Sequence, residues 1–348
     1  MQPIHTLTDL LQQSEVHYQI FDLGRRIQPV DAQQFHHVEQ AKQPYPYPLQ
    51  RQAHLAIVYW HQNQQPWIWF VKFNLDERGL LAQAEIGQFL SYVLEAMGSR
   101  LTGELTEAQQ QKLANNPYTF KPSEEKMAVI HSQIRRQLSL PSSQYYEHAQ
   151  HYLTGDLGWD NWQTVGLQGI SDICARLNDS NNSQLIINAI PHLPSPVLYA
   201  LLGALEHNPL PDNLALALEE QLQTGVALPE YDLFLLAALI RALSGGTQAQ
   251  LDRRVDQLLD NPSRCHPEVL IAIAGRCWSA LKDPGRAQRF LLRLAQSGDQ
   301  TLFNQIFADL VMLPELRVVL LPLLHSSPSS ELTQALVNLQ RATKPSSP

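Results

Sequence analysis

Cysteine is scarce in this chain. Only Cys174, Cys265 and Cys277 occur among 348 residues, and no two have the C-x-x-C spacing that chelates zinc or exchanges thiols. An odd, scattered set fits the buried thiols of a reducing compartment, so neither a disulfide framework nor a metal site is expected. Signatures of nucleotide and hydrolase chemistry are missing too: there is no G-x-x-x-x-G-K-[ST], no G-x-G-x-x-G after a strand, no H-E-x-x-H and no G-x-S-x-G. No cofactor and no catalytic residue follow from motifs, which leaves an enzyme unsupported. Positive charge is in short supply: the formal net charge is -8, with only 17% charged residues. Clustered Lys and Arg are what release counterions from phosphates, so this balance disfavours nucleic acid and anionic membranes as partners. The apolar runs LFLLAALIRAL and VVLLPLL fall short of the roughly 20 residues that span a bilayer, so no transmembrane helix and no membrane partner are expected. The stretch MQPIHTLTDLLQQSEVHYQ has no basic n-region and no unbroken apolar segment, which predicts a cytoplasmic rather than an exported protein.

What is present is 44% hydrophobic residues, enough for two domains with a core each. Residues 4–14 read as a short amphipathic helix, capped by Thr6 or Thr8, with Leu7, Leu10 and Leu11 on one side. VHYQIFDLG reads as a strand ended by Gly24, and AQQFHHVEQAK as a helix. The alternate prolines of KQPYPYPLQ force a connection. From Ala53 to Phe73, two aromatic-rich runs flank QNQQ, which predicts a β-hairpin with a glutamine-rich turn. Neither strand shows a polar row, so both faces require cover. Ile86, Phe89, Leu90, Val93, Leu94 and Met97 form one helical stripe able to lie on that hairpin. A helix over Ser123 to Leu138, capped by Ser123, follows, and another runs from near Trp159 through Leu177.

Beyond residue 190 the pattern is monotone. LYALLGAL, LFLLAALIRAL, VLIAIAGRCWSAL and LFNQIFADLVML end at Leu205, Leu243, Leu281 and Leu313, each followed by a more polar helix. That spacing resembles the period, about 34 to 47 residues, of two-helix repeats. The expected fold class is therefore α+β: a small N-terminal domain (1–120) with an antiparallel hairpin or sheet and helices, then an all-α, HEAT-like solenoid domain (121–341) and a disordered tail (342–348). Gly245 and Gly246 of SGGT are expected to form a helix C-cap at positive φ.

At PWIWFVKFNLDERGLL (66–81) and NPYTFKPSEEKMAVIHSQI (116–134) the chain resembles a bacterial family known only as a domain of unknown function, over nearly its whole length. The resemblance implies a bacterial, cytosolic setting. It brings no activity, cofactor or site residue.

Candidate sites come from the residues alone. Trp67 and Trp69 of the aromatic hairpin are core residues or, on an uncovered face, anchors for a protein partner, since Trp dominates interface hot spots. Arg286, Arg289 and Arg293 fall at i, i+3, i+7 and form the most concentrated positive stripe, suited to an acidic partner. Asp76 and Glu77 end the second hairpin strand, where loops often carry chemistry, although capping explains them equally. His148 and His151 lie one helical turn apart, a spacing that can share a ligand but lacks further donors nearby in sequence. The leading expectation is a non-enzymatic protein-interaction scaffold with a helical-repeat surface and a protein partner. The alternative is an enzyme or small-ligand binder using Asp76, Glu77, His148 and His151 at a cleft between the two domains.

Overall fold

The computed structural model describes residues 4–61, 65–98, 101, 106–114, 116–228, 230–325 and 329–343. Helices dominate, with one small four-stranded antiparallel sheet. Contacts divide the chain into two units, Met1–Pro122 with Val311–Arg317, and Ser123–Leu310 with Val318–Pro348.

The first unit begins with α1 (Leu7–Gln13). Thr6 caps it, and Asp9 returns the bond to the cap backbone, so two orphan helix donors are satisfied together. Then come β1 (His17–Asp22), β2 (Gln28–Val30), α2 (Ala32–Glu39), β3 (Gln52–Trp60), β4 (Trp67–Asn74), α3 (Gln83–Met97) and α4 (Glu107–Ala114). The sheet order is β2-β1-β3-β4, and the register sets Ile57 between Ile20 and Trp69, and Tyr59 between Tyr18 and Trp67. Strand alternation sends Leu55, Ile57, Tyr59, Trp69, Val71 and Phe73 to one face, where α1, α2 and α3 supply Leu10, Phe35, Phe89 and Val93 to a single core. On the other face Phe21, Ala56 and Val58 are buried, while Trp60, Ile68, Phe70 and Lys72 are half-buried. Phe120 packs edge-on against His54 at 5.3 Å on that side. The β4 edge is closed rather than open, because the Lys72 N–H donates to Tyr118 O (2.8 Å) and the Phe120 N–H to Phe70 O (3.1 Å). The QNQQ turn covers residues 62–65, of which 62–64 lie outside the described residues.

Two carboxylates are sealed inside this unit. Asp22 accepts the Tyr45 hydroxyl at 2.8 Å and the backbone N–H groups of Gly24, Arg25 and Arg26. Glu39, at the end of α2, receives the Leu7 N–H (2.9 Å), the Thr8 N–H (3.1 Å) and the Thr8 hydroxyl, so it caps the start of α1 from 31 or 32 residues away. Burial raises its pKa from 4.5 to about 7, against the lowering effect of those bonds.

The second unit is helical: α5 (Glu124–Gln137), α6 (Tyr146–Leu153), α7 (Leu167–Cys174), α8 (Asn182–Ala189), α9 (Ser195–Leu205), α10 (Asp212–Ala227), α11 (Leu233–Ala242), α12 (Gln248–Leu259), α13 (Pro267–Arg276) and α14 (Pro284–Gln296). The chain continues through α15 (Gln300–Met312), α16 (Pro314–Leu320) and α17 (Ser330–Thr343). Helices pack on the next but one: α5 on α7, α7 on α9, α9 on α11 and α11 on α13, and in a second set α6 on α8, α8 on α10 and α12 on α14, while α14 also packs on the more distant α17. The apolar helices thus have neighbours on both flanks, which is why their sequences carry almost no polar face. Across the α15–α16 junction, the grouping of Val311–Arg317 with the first unit was signalled by no sequence period.

Three local expectations change. The helix expected from Trp159 to Leu177 is broken into a 3-10 segment (Trp159–Thr164) and α7, because Val165 and Gly166 are extended. Gly245 and Gly246 are not at positive φ: Gly246 has φ -77°. Gly245 is required by close approach instead, since a Cβ there would lie 2.1 Å from Asn208 O, while its own carbonyl accepts the Leu210 N–H at 2.9 Å. The tail expected to be disordered from residue 342 is helical to Thr343, and residues 344–348 lie outside the described residues.

Candidate functional site

The residues singled out by sequence find partners that make most of them structural. Trp69 is 9% exposed and packs on Tyr59 (4.8 Å) and Phe89 (6.0 Å), and Trp67 stacks on Tyr59 at 5.7 Å. Both therefore belong to the core face under α3, not to an open one. Asp76 receives the backbone N–H groups of Arg78 (2.9 Å) and Leu80 (2.8 Å) and pairs with the Arg78 guanidinium; desolvation is the largest single effect and raises its pKa, but these contacts together outweigh it and hold the pKa below the usual value. With Gly79 at φ +84°, this is a tight turn of the first unit. Glu77 is exposed, 3.9 Å from Arg51, and its carbonyl accepts Arg317 Nη2 at 3.1 Å. In the second unit His148 Nε2 contacts Thr164 Oγ1 (3.0 Å), whereas His151 Nε2 lies 3.6 Å from Asp156 Oδ2, so the two rings serve different partners. Among the described residues no group of three or more His, Cys, Asp or Glu could hold a metal ion.

The arginine row is engaged by its own protein. Arg286 is 9% exposed and grips Asp256 through Nε and Nη2, both at 2.9 Å, while Nη1 donates to Ala280 O at 2.7 Å. Arg289 also pairs with Asp256, and Arg293 Nε donates to Leu259 O at 2.8 Å. Asp252 and Asp256 of α12, with Asp260 just past its end, lie against this basic stripe of α14. These side chains fasten one helix to another.

A different site emerges on the apolar series. A cavity of about 230 Å³ is lined by Ser123, Glu125 and Lys126 of the α5 start, Ser171 of α7, Tyr199 and Gly203 of α9, and by Glu206, His207, Arg241 and Arg276. Glu206 follows α9 directly, Arg241 sits in the last turn of α11 and Arg276 ends α13, so corresponding positions recur every 35 residues. Because these three helices pack side by side, the 35-residue spacing brings the three groups together. Glu206, 5% exposed, receives Arg276 Nε at 2.7 Å and has His207 Nε2 at 3.4 Å. Arg241 Nε stands 3.2 Å from the other carboxylate oxygen, near enough for charge attraction though not aligned for a hydrogen bond. Tyr199 donates to Asp232 Oδ2 at 3.0 Å, and burial, aided by that carboxylate, pushes its pKa to about 12.

Sequence reasoning passed over Glu206, Arg241 and Arg276 because each is a lone charge at the end of an apolar run. The available signal was their common spacing, not any local motif. At the level of whole proteins, a family model described as "Protein of unknown function (DUF3549)" matches residues 2–340, nearly the entire chain. No curated protein and no solved structure matches it. No helix among the described residues is long and apolar enough to cross a membrane.

Proposed function

The chain belongs to the DUF3549 family, a family of unknown function, and on that premise we propose that it is a non-enzymatic scaffold whose helices form a HEAT-like repeat array for binding a partner protein. The array reading is supported by bonds that span one repeat: Arg254 to Glu219 over 35 residues, Arg293 to Leu259 over 34, Gln168 to Ser132 over 36 and Gln300 to Ala335 over 35. An interval of 34 to 36 residues shared by these four bonds is the one a two-helix repeat would give, and it supports the array reading.

The observation that carries the binding role is the solvent side of α11 and α13. The other residues of these adjacent helices are buried or half-buried, yet Phe234 is 60% exposed and Ile271 is 43% exposed. Large apolar side chains held out in neighbouring repeats offer an anchor that a partner can desolvate. The enzyme alternative gains no such support, since Asp76 and Glu77 belong to a turn of the first unit and His148 and His151 engage separate neighbours in the second.

The test is affinity capture from bacterial lysate with mass-spectrometric identification, comparing the full chain with a Phe234→Ser/Ile271→Ser variant that melts at the wild-type temperature. Reproducible recovery of one partner, weakened by about tenfold or more in the variant, is the expected result. Equal recovery by both proteins, or nothing specific recovered by the wild type, would overturn this reading.

A further inference from the structure

Resting on the scaffold reading, we infer that the cavity at Lys126, Tyr199, Arg241 and Arg276 receives the side-chain carboxylate of an acidic residue in an extended segment of the partner, with an apolar residue of that segment seated on Phe234.

The donor inventory points to an acceptor from outside the chain. Arg276 spends Nε on Glu206 and Nη1 on Gly275 O (3.2 Å), and among the described residues its Nη2 has no partner. Arg241, with a side chain 39% exposed, directs only Nε toward Glu206, and its two terminal nitrogens also lack a partner there. A guanidinium carries five N–H donors in a planar fork, a geometry matched to carboxylate and phosphate oxygens. Two such forks, partly satisfied and bordering one cavity, form a receptor for an oxyanion. The contrast within the same unit is direct: Arg286 has every nitrogen committed to Asp252, Asp256 or Ala280, and it borders no cavity with Glu206.

Charge balance selects the kind of anion. Arg241 and Arg276 share the cavity lining with the carboxylates of Glu125 and Glu206. A monoanionic carboxylate meets less repulsion from those two fixed charges than a phosphate dianion would. Glu125 remains ionised, since its own backbone N–H and the Ser123 hydroxyl hold its pKa low.

Geometry supplies the second anchor. Phe234 and Arg241 are seven residues apart on α11, two turns along one face, which separates them by roughly 10 Å. An extended peptide advances about 3.3 Å per residue, so an acidic and an apolar side chain about three positions apart would reach both. Tyr199 and Gly203 of α9 border the carboxylate end, and the small Gly203 leaves backbone room for the segment to approach.

The experiment uses the full chain labelled for the arginine Nε–H resonances, with Arg241→Lys and Arg276→Lys variants assigning the two signals. The probes are acetyl-Leu-Ser-Ser-Glu-Ser-Ser-Leu-amide, the same peptide with Gln for Glu, and inorganic phosphate. The Glu peptide is expected to shift the Arg241 and Arg276 signals saturably by about 10 mM, with the Gln peptide and the Arg241→Lys variant each weaker by about tenfold, because lysine keeps the charge but loses the fork. Signals that do not move with the Glu peptide, or move equally with the Gln peptide, would overturn the inference. Phosphate saturating the site below the Glu peptide would also overturn it and assign a free-anion site instead. The two readings fail separately: arginine shifts without partner capture sink the scaffold, and capture lost on Phe234 substitution without any arginine response sinks the carboxylate site.

Discussion

Glu39 in the first unit and Glu206 in the second are both almost fully buried, at 1% and 5% exposure, yet they are held by opposite means. Glu39 meets no arginine among its partners: it takes backbone N–H groups and a hydroxyl at the start of α1, and burial wins, so its pKa rises. Carboxylates of the second unit meet guanidinium groups instead, Glu206 with Arg241 and Arg276, Glu219 with Arg253 and Arg254, and Asp256 with Arg286 and Arg289. At Asp256 the Arg286 hydrogen bonds outweigh desolvation, and the pKa falls. The lesson is that a mixed sheet-and-helix core satisfies a buried acid with whatever backbone ends nearby, whereas helices packed in series can supply a cation from a neighbouring helix. The two solutions respond to pH and to mutation in different ways.

The sharpest way to break the second solution is Arg286→Met. It removes the bidentate partner of Asp256 and the donor to Ala280 O, and it should cost about 3 kcal/mol in urea unfolding, somewhat reduced because Asp256 is a third exposed. A loss below about 1 kcal/mol would mean that water already screens the α12–α14 clamp.

The first solution is tested by pH. The folded-state pKa of Glu39, about 7, lies above its ordinary 4.5, so the folded protein holds this proton more tightly than the unfolded chain does. Its stabilising contribution is full below pH 4.5 and disappears as pH rises through 7, which amounts to about 2.5 kcal/mol between pH 5 and pH 8. Glu39→Gln should remove that slope, and parallel melts of wild type and variant at the two pH values measure it. Identical slopes in the two proteins would show that α1 is capped equally well by the ionised acid.

Smallest is the effect of Arg289→Gln. Its side chain is 46% exposed and its partner Asp256 keeps Arg286, so the loss in the same urea assay should be about 0.5 kcal/mol or less. A cost approaching that of Arg286→Met would make the two arginines a single coupled network, to be separated only by a double-mutant cycle.

Much of the local structure was legible because it depends on neighbours in sequence. Thr6 with Asp9, and Ser123 ahead of α5, are caps set by residues three positions apart, and the stripe of Ile86, Phe89, Leu90 and Val93 follows from 3.6 residues per turn. The hairpin register follows from two aromatic runs close together in the chain, and the family membership followed from the stretches at 66–81 and 116–134. The candidate site was not legible in the same way. The arginines of α14 looked like a surface because their acids, Asp252, Asp256 and Asp260, lie about 30 residues upstream, and Arg241 and Arg276 looked isolated because Glu206 is likewise distant in sequence.

The sequence by itself determined where most of the helices and the hairpin strands form, which side of them is apolar, and that the chain turns from mixed to helical near residue 120. Only the tertiary structure decided which charges are consumed and which remain open. Side-chain pattern fixes the face a residue occupies on its own element, but the partner on that face comes from packing between elements some 35 residues apart, and a guanidinium is open or spent according to whether a carboxylate stands opposite it.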